Sequence, residues 1–257
     1  MSLPHGAPPT TTAKNHDDAA ARAFVALDTR DIDQALTWAC AVVPPLGGVK
    51  LGLEFFTANG PDGVRPIVDL GVPVFLDLKF HDIPNTVAGA ARGAASLGVS
   101  LFNIHASGGR AMMCAALDAA GEEAARLSRP RPAVIAVTAL TSLDDSDLAD
   151  IGVSGNAADM VLRLASQTRE CGLDGVVCSA QEAPDLRRRL GPDFLLVTPG
   201  VRPDWAASQD QKRHMTPAAA IAAGADRIVV GRPVTQAPDV AAAAERIARD
   251  MRAGARL

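Results

Sequence analysis

Aspartate and lysine alternate through one stretch of an otherwise apolar run, Val72-Pro73-Val74-Phe75-Leu76-Asp77-Leu78-Lys79-Phe80, and Asp82 follows close behind. Side chains of a β-strand alternate faces with a period of two, so Val74, Leu76, Leu78 and Phe80 share an apolar face while Asp77 and Lys79 share the other. Burying a carboxylate or an ammonium costs several kcal/mol per ion unless it is paired and hydrogen-bonded. Partners are present: Lys50 interrupts the apolar run 49–53, and Asp82 lies three residues beyond Lys79. The expected arrangement is an alternating array of Lys50, Asp77, Lys79 and Asp82. An ammonium fixed by carboxylates in a water-poor cleft can stabilise negative charge developing on a neighbouring atom and then give that atom a proton. The plain alternative is a salt bridge on an exposed edge strand. It fits poorly, because an edge strand would not carry a wholly apolar opposite face and Lys50 would be a second, coincidental interior charge.

What must position these residues is a repeated unit. Eight short runs rich in β-branched residues, at 23–28, 49–53, 72–79, 99–105, 133–138, 175–178, 194–198 and 227–231, alternate with Ala-rich segments. Three of those segments, 32–43, 156–172 and 234–251, space apolar residues as helices do, with Gly or Pro as punctuation. Eight strand–helix units in this length predict an α/β fold, a single-domain (β/α)8 TIM barrel over residues 23–257, in preference to an open doubly wound sheet. Residues 1–22 are polar and are read as an N-terminal tail. Asp28, Lys79, His105, Thr138 and Thr198 all fall at or just past strand carboxyl ends, the face where barrel enzymes do chemistry.

Composition narrows the class. A hydrophobic fraction of 48% supports a continuous core, and a net charge of -4 with both signs mixed along the chain offers no basic patch for a nucleic-acid backbone. No apolar run reaches the ~18 residues that span a bilayer, and the first residues lack a signal-peptide core, so no membrane partner and a cytoplasmic location are expected. Cys40, Cys114, Cys171 and Cys178 have neither C-x-x-C nor Cys/His ligand spacing and are read as reduced core residues, with no metal expected.

The segment DLKFHDIPNTV at 77–87 resembles the signature of orotidine 5'-monophosphate decarboxylases. The resemblance continues in order through ALD at 26–28, VKLGLEFF at 49–56, HASGG at 105–109, TALTS at 138–142, PGVRP at 199–203, DQKRHMTP at 210–217 and VVGRPVTQ at 229–236. It implies a cofactor-free barrel that converts orotidine 5'-monophosphate to uridine 5'-monophosphate, with Lys79 stabilising the C6 carbanion and protonating it. It further implies that Asp77 and Lys50 hold Lys79 and that Asp28 with Lys50 meets the ribose. Thr141 is implied to meet the pyrimidine edge. By the same resemblance Arg202 and Gln211 are expected to contact the nucleotide, as are Gly231 and Arg232 after the eighth strand, and Asp82 and Thr86 are expected to reach the neighbouring site of a homodimer. Family lids place Gly before the Asp-Gln pair, whereas Gln209 stands here.

Other readings of these positions stay open in the sequence. Asp28 and Thr141 also suit helix caps, and Gly231-Arg232-Pro233 suits an ordinary helix start. The polar segment 200–215, read as a lid over the phosphate, also suits a surface insertion. His105, before Ser107-Gly108-Gly109, is read as structural. Two rival functions are a metal-assisted enediolate enzyme of the same barrel superfamily, which the resemblance would give a metal-binding Glu where Lys50 stands, and a catalytically silent nucleotide-binding barrel.

Overall fold

The computed structural model describes residues 18–206 and 215–254. Its parallel strands close into one barrel in sequence order: β1 (Ala23–Ala26), β2 (Gly48–Gly52), β3 (Val74–Phe80), β4 (Leu101–His105), β5 (Ala133–Val137), β6 (Gly175–Val177), β7 (Leu195–Thr198) and β8 (Arg227–Val230), with β8 pairing back onto β1. The helices are α1 (Ile32–Val42), α2 (Leu53–Asp69), α3 (Pro84–Ser96), α4 (Gly109–Arg126), α5 (Asp145–Asp150), α6 (Ala157–Glu170), α7 (Ala183–Leu190), α8 (Pro217–Ala222), α9 (Arg232–Thr235) and α10 (Val240–Gly254). This is the (β/α)8 architecture expected from the alternation. The helix expected over 234–251 is instead two, α9 and α10. Pro238 has no N–H to continue the ladder, and Asp239 starts α10 afresh by accepting from Ala242 N at 2.9 Å.

The tail expected through residue 22 ends earlier. Ala19–Arg22 form a 3-10 turn with Ala19 and Ala20 buried, capped by Asp18, whose carboxylate also takes the Arg252 guanidinium of α10 at 2.6 and 2.9 Å. The cysteines also need correcting. All four are free, but only Cys178 is buried; Cys114 and Cys171 are half-buried and Cys40 is exposed. The buried stripe of α1 is Ala35, Ala39 and Val42, so Cys40 turns to solvent although its sequence neighbours are apolar. Among the described residues no helix is long and apolar enough to cross a membrane.

Strand alternation divides the apolar side chains into two sets. Val25, Leu27, Val49, Leu51, Val74, Leu76, Phe102 and Ile104 pack outward against the helices. Phe24, Ala26, Phe75, Leu101, Ile135, Val137, Val177, Val197 and Val229 form a separate cluster that fills the barrel interior. Phe24 and Phe75 meet edge to face at its centre, ring centroids 6.5 Å apart. β2 contributes no apolar side chain to that cluster, and a Cβ on Gly48 would fall 2.6 Å from the Phe24 ring. The inward residue that β2 does supply is Lys50.

The base of the barrel is sealed by one device used twice. Asp174 precedes β6. Its N–H donates to Val134 O at 3.0 Å, and its carboxylate accepts from Val134 N at 2.7 Å and from both terminal nitrogens of Arg131 at 2.7 and 2.8 Å. Asp226 repeats the pattern before β8, donating to Leu196 O at 2.9 Å, accepting from Leu196 N at 2.8 Å, and pairing with Arg187. Each carboxylate joins two neighbouring strands where their ladder begins. Asp174→Ala leaves a strand N–H without its acceptor and the Arg131 guanidinium without its carboxylate, and the expected cost is about 3 kcal/mol. A urea unfolding midpoint checks this; the clamp lies at the end of the barrel opposite the polar residues, which the change leaves untouched.

Candidate active site

The carboxyl ends of β1, β2 and β3 bring four charges together in alternation. Lys50 is 12% exposed and places its Nζ 3.2 Å from Asp77 Oδ2 and 3.6 Å from Asp28 Oδ1. Lys79 Nζ donates to Asp77 Oδ1 at 2.5 Å. The Nδ2 of Asn103, on β4, donates to the same oxygen at 2.7 Å. Burial pushes the Asp77 carboxyl up, but Lys50, then Lys79 and the hydrogen bonds from Lys79 and Asn103 outweigh it and hold the group below the usual aspartate range. Room for the Lys50 ammonium comes from Gly52, where a Cβ would stand 3.0 Å from Nζ and 3.6 Å from Asp28.

Lys79 reaches this position by a route the simple alternation does not contain. Its φ is +52°, in the left-handed region, and the β3–β4 register shifts between Leu76↔Phe102 and Phe80↔Ile104. Four steps along β3 match two along β4, which is a bulge beside the Lys79 amine. Beyond it Phe80 packs at a tilt on Phe102, centroids 6.0 Å apart.

The array expected from sequence was Lys50, Asp77, Lys79 and Asp82; within this chain it is Asp28, Lys50, Asp77 and Lys79. Asp82 lies exposed in the loop after β3, its Oδ1 accepting from Ile83 N at 2.6 Å, and Thr86 is exposed in the first turn of α3. Asp28 does not cap α1, because Asp31 does so through Gln34 N at 3.0 Å. Thr141 is exposed after β5 and caps nothing; Asp144 and Asp147 form the capping box of α5. Thr138, also past β5, is buried and donates to Val177 O at 3.2 Å, a strand-to-strand tie.

The loops after β7 and β8 flank the same face. Arg202 is 8% exposed, and its N–H donates to Met215 O at 3.1 Å, which pins the two ends of the loop expected to be a lid. Trp205 anchors the descending side, donating from Nε1 to Asp250 at 3.0 Å beneath the Arg246 guanidinium at 4.5 Å. Gln211, together with Gln209 and Asp210, lies outside the described residues. Gly231 precedes α9 and Arg232 opens it, with Pro233 in its first turn.

Two features escaped the sequence reading. Asn103 is 1% exposed and bonds to both Asp77 and Lys79; the available signal was a polar side chain between Leu101 and His105 on the inward phase of β4. His81 and His105 lie 24 residues apart in sequence, yet their rings are 5.2 Å apart, because β3 and β4 are adjacent. Burial first, then the His81 and Lys79 charges, hold His105 below the ordinary imidazole range, against the pull of Asp77. Among the described residues no three His, Cys, Asp or Glu side chains converge as a metal cradle.

The same residues are the ground for comparison with known proteins. The family model described as "Orotidine 5'-phosphate decarboxylase / HUMPS family" matches residues 22–247. A protein of Rhodospirillum rubrum named orotidine 5'-phosphate decarboxylase is 57% identical over 229 residues, 89% of this chain and 93% of that one. Its namesake in Geobacter metallireducens is 50% identical over 238 residues, 93% of this chain and 99% of that one. The crystal structure of the Lactobacillus acidophilus orotidine 5'-phosphate decarboxylase superposes with a TM-score of 0.78 at 37% identity, covering 89% of this chain and 98% of that chain. With a match that runs through nearly the whole barrel and includes every strand that carries the charge array, the chain belongs to the orotidine 5'-phosphate decarboxylase / HUMPS family.

Proposed function

We propose that the chain decarboxylates orotidine 5'-monophosphate to uridine 5'-monophosphate in pyrimidine biosynthesis, without a cofactor. The observation that carries this reading is the Lys79 ammonium at the barrel mouth, 2.5 Å from an Asp77 carboxylate whose other oxygen is 3.2 Å from Lys50. In the reaction the bond between C6 and its carboxylate breaks, carbon dioxide leaves, and the electron pair stays on C6 in the ring plane, where the π-system cannot spread it. Lys79 faces that charge as a preorganised cation and then transfers one ammonium proton to C6; solvent restores the proton to the amine. Asp77 and Lys50 hold Lys79 in one rotamer and charge state.

The remaining assignments follow the nucleotide outward. Asp28 and Lys50 meet the ribose hydroxyls and Thr141 the pyrimidine edge. Arg202, Gln211, Gly231 and Arg232 receive the phosphate end, so that remote binding energy serves the transition state. Asp82 and Thr86 serve the neighbouring site of a homodimer. Their exposure supports this, as does Ile83 between them, 67% exposed, with Leu53 at the start of α2 and Leu140 on the loop after β5 also bare at 55% and 40%.

The enediolate chemistry of other barrels in the same superfamily needs a divalent cation at the second strand. Lys50 speaks against it here, since its ammonium 3.2 Å from Asp77 would repel the cation. The test is the loss of orotidine monophosphate absorbance by purified protein, with and without EDTA. An unchanged rate in chelator is expected; a rate abolished by EDTA and restored by magnesium would move the chain to the metal-dependent class.

A further inference from the structure

The bulge in β3 has to be held by something other than the strand ladder. Between Leu76 and Phe80 the chain spends four steps where β4 spends two, so backbone groups there lose their regular partners. Lys79 sits in this gap with φ +52°, a conformation that a residue bearing a Cβ adopts at a cost and keeps only when its surroundings impose it. Its N–H is taken by the Oδ1 of Asn103 at 2.8 Å, and the Nδ2 of the same amide donates to Asp77 Oδ1 at 2.7 Å. That carboxylate oxygen is also the acceptor for Lys79 Nζ.

We infer that Asn103 is a positioning residue for the proposed decarboxylation: its amide stands in for the missing ladder, fixing the Lys79 backbone at one end and the carboxylate that aims the Lys79 ammonium at the other. This rests on the assignment of Lys79 as the proton donor. Asn103 is 1% exposed, so water does not compete for either bond. The position requires an acceptor and a donor on one short planar group. Leucine has the size and neither function. An ionised aspartate keeps the acceptor for the Lys79 N–H but sets a second negative charge against Asp77; only its protonated form supplies both.

The test compares wild type, Asn103→Leu and Asn103→Asp by kcat, by affinity for uridine monophosphate, and by pH profile, with far-UV circular dichroism as the folding check. For Asn103→Leu, kcat falls about 10²-fold, the loss expected from a reacting group displaced by about 1 Å, while product affinity moves by less than about threefold. For Asn103→Asp, activity relative to wild type rises as pH falls from about 8 to 5, because a carboxyl beside Asp77 titrates well above its ordinary value. A folded Asn103→Leu with wild-type kcat overturns the inference. So does an Asn103→Asp ratio that is flat with pH, or a loss of kcat matched by an equal loss of product affinity, as general damage to the site would give. If Asn103→Leu does not fold, the aspartate variant, close to the native side chain in size, decides alone. Wild-type protein inert toward orotidine monophosphate removes the decarboxylase reading itself, an outcome distinct from active wild type with indifferent variants.

Discussion

Lys79→Ala is expected to retain its fold and lose at least ~10⁴-fold in kcat, because one side chain performs both parts of the proposed chemistry. General-acid transfer contributes roughly 10²–10⁴-fold and a preorganised charge beside a developing anion roughly 10²–10³-fold. The two are not independent when one ammonium supplies both, so the lower part of their product is the safe expectation. The fold tolerates the change for a local reason. The Lys79 side chain is 29% exposed and pairs with Asp77, which keeps Lys50 at 3.2 Å and the Asn103 amide at 2.7 Å when Lys79 is removed. Alanine also carries a Cβ, so the left-handed backbone is no more strained than before. Absorbance of orotidine monophosphate reads the rate, and thermal melting followed by circular dichroism reads the fold. A folded Lys79→Ala that kept even a tenth of wild-type activity would falsify the assignment.

The legible part of this structure is the part set by periodicity. The eight expected strands match the observed ones to within two residues at each end, because Val, Ile and Leu placed on alternate positions must face either the helices or the barrel interior. Lys50 and Asp77 were readable for the same reason: a charge on the inward phase of an apolar strand has nowhere else to go. What a single strand could not show needed pairing information. Asp82 is near Lys79 in sequence, but the bulge and the turn after it carry Asp82 into the exposed loop, and Asp28, which closes the array, lies two strands away from Asp77. Asn103 was overlooked because its value lies in the backbone N–H left over by a register shift, a property of β3 and β4 together. Cys40 was misplaced because apolar neighbours along a helix say little about which face a residue takes.

Asp77→Ala is expected to damage both rate and stability, and both losses should trace to the missing charge rather than to the missing volume. Removing the carboxylate leaves the ammonium groups of Lys50 and Lys79, now 3.2 and 2.5 Å from its two oxygens, facing each other with their shared counter-ion gone. Truncating one partner of a buried charge cluster costs about 3 kcal/mol, and the Asp77 side chain is only 13% exposed, so little of that is relieved by water. Lys79 loses the anchor that aims its ammonium, so kcat should fall at least ~10³-fold. Asp77→Asn keeps the size and an acceptor for one lysine but not the charge, so its rate should fall nearly as far and only a minor part of the stability should return. The pH dependence follows from the depressed carboxyl. In the wild type its contribution is fully present above the unfolded aspartate value of ~3.9 and is lost as pH falls through the lower folded value. The stability gap between wild type and Asp77→Ala should therefore hold constant from neutral pH down to about pH 4 and close below it. Urea midpoints across that range decide the matter: a gap that is absent at pH 7, or that widens below pH 4, would mean that Asp77 is not the counter-ion that keeps two lysines side by side at the barrel mouth.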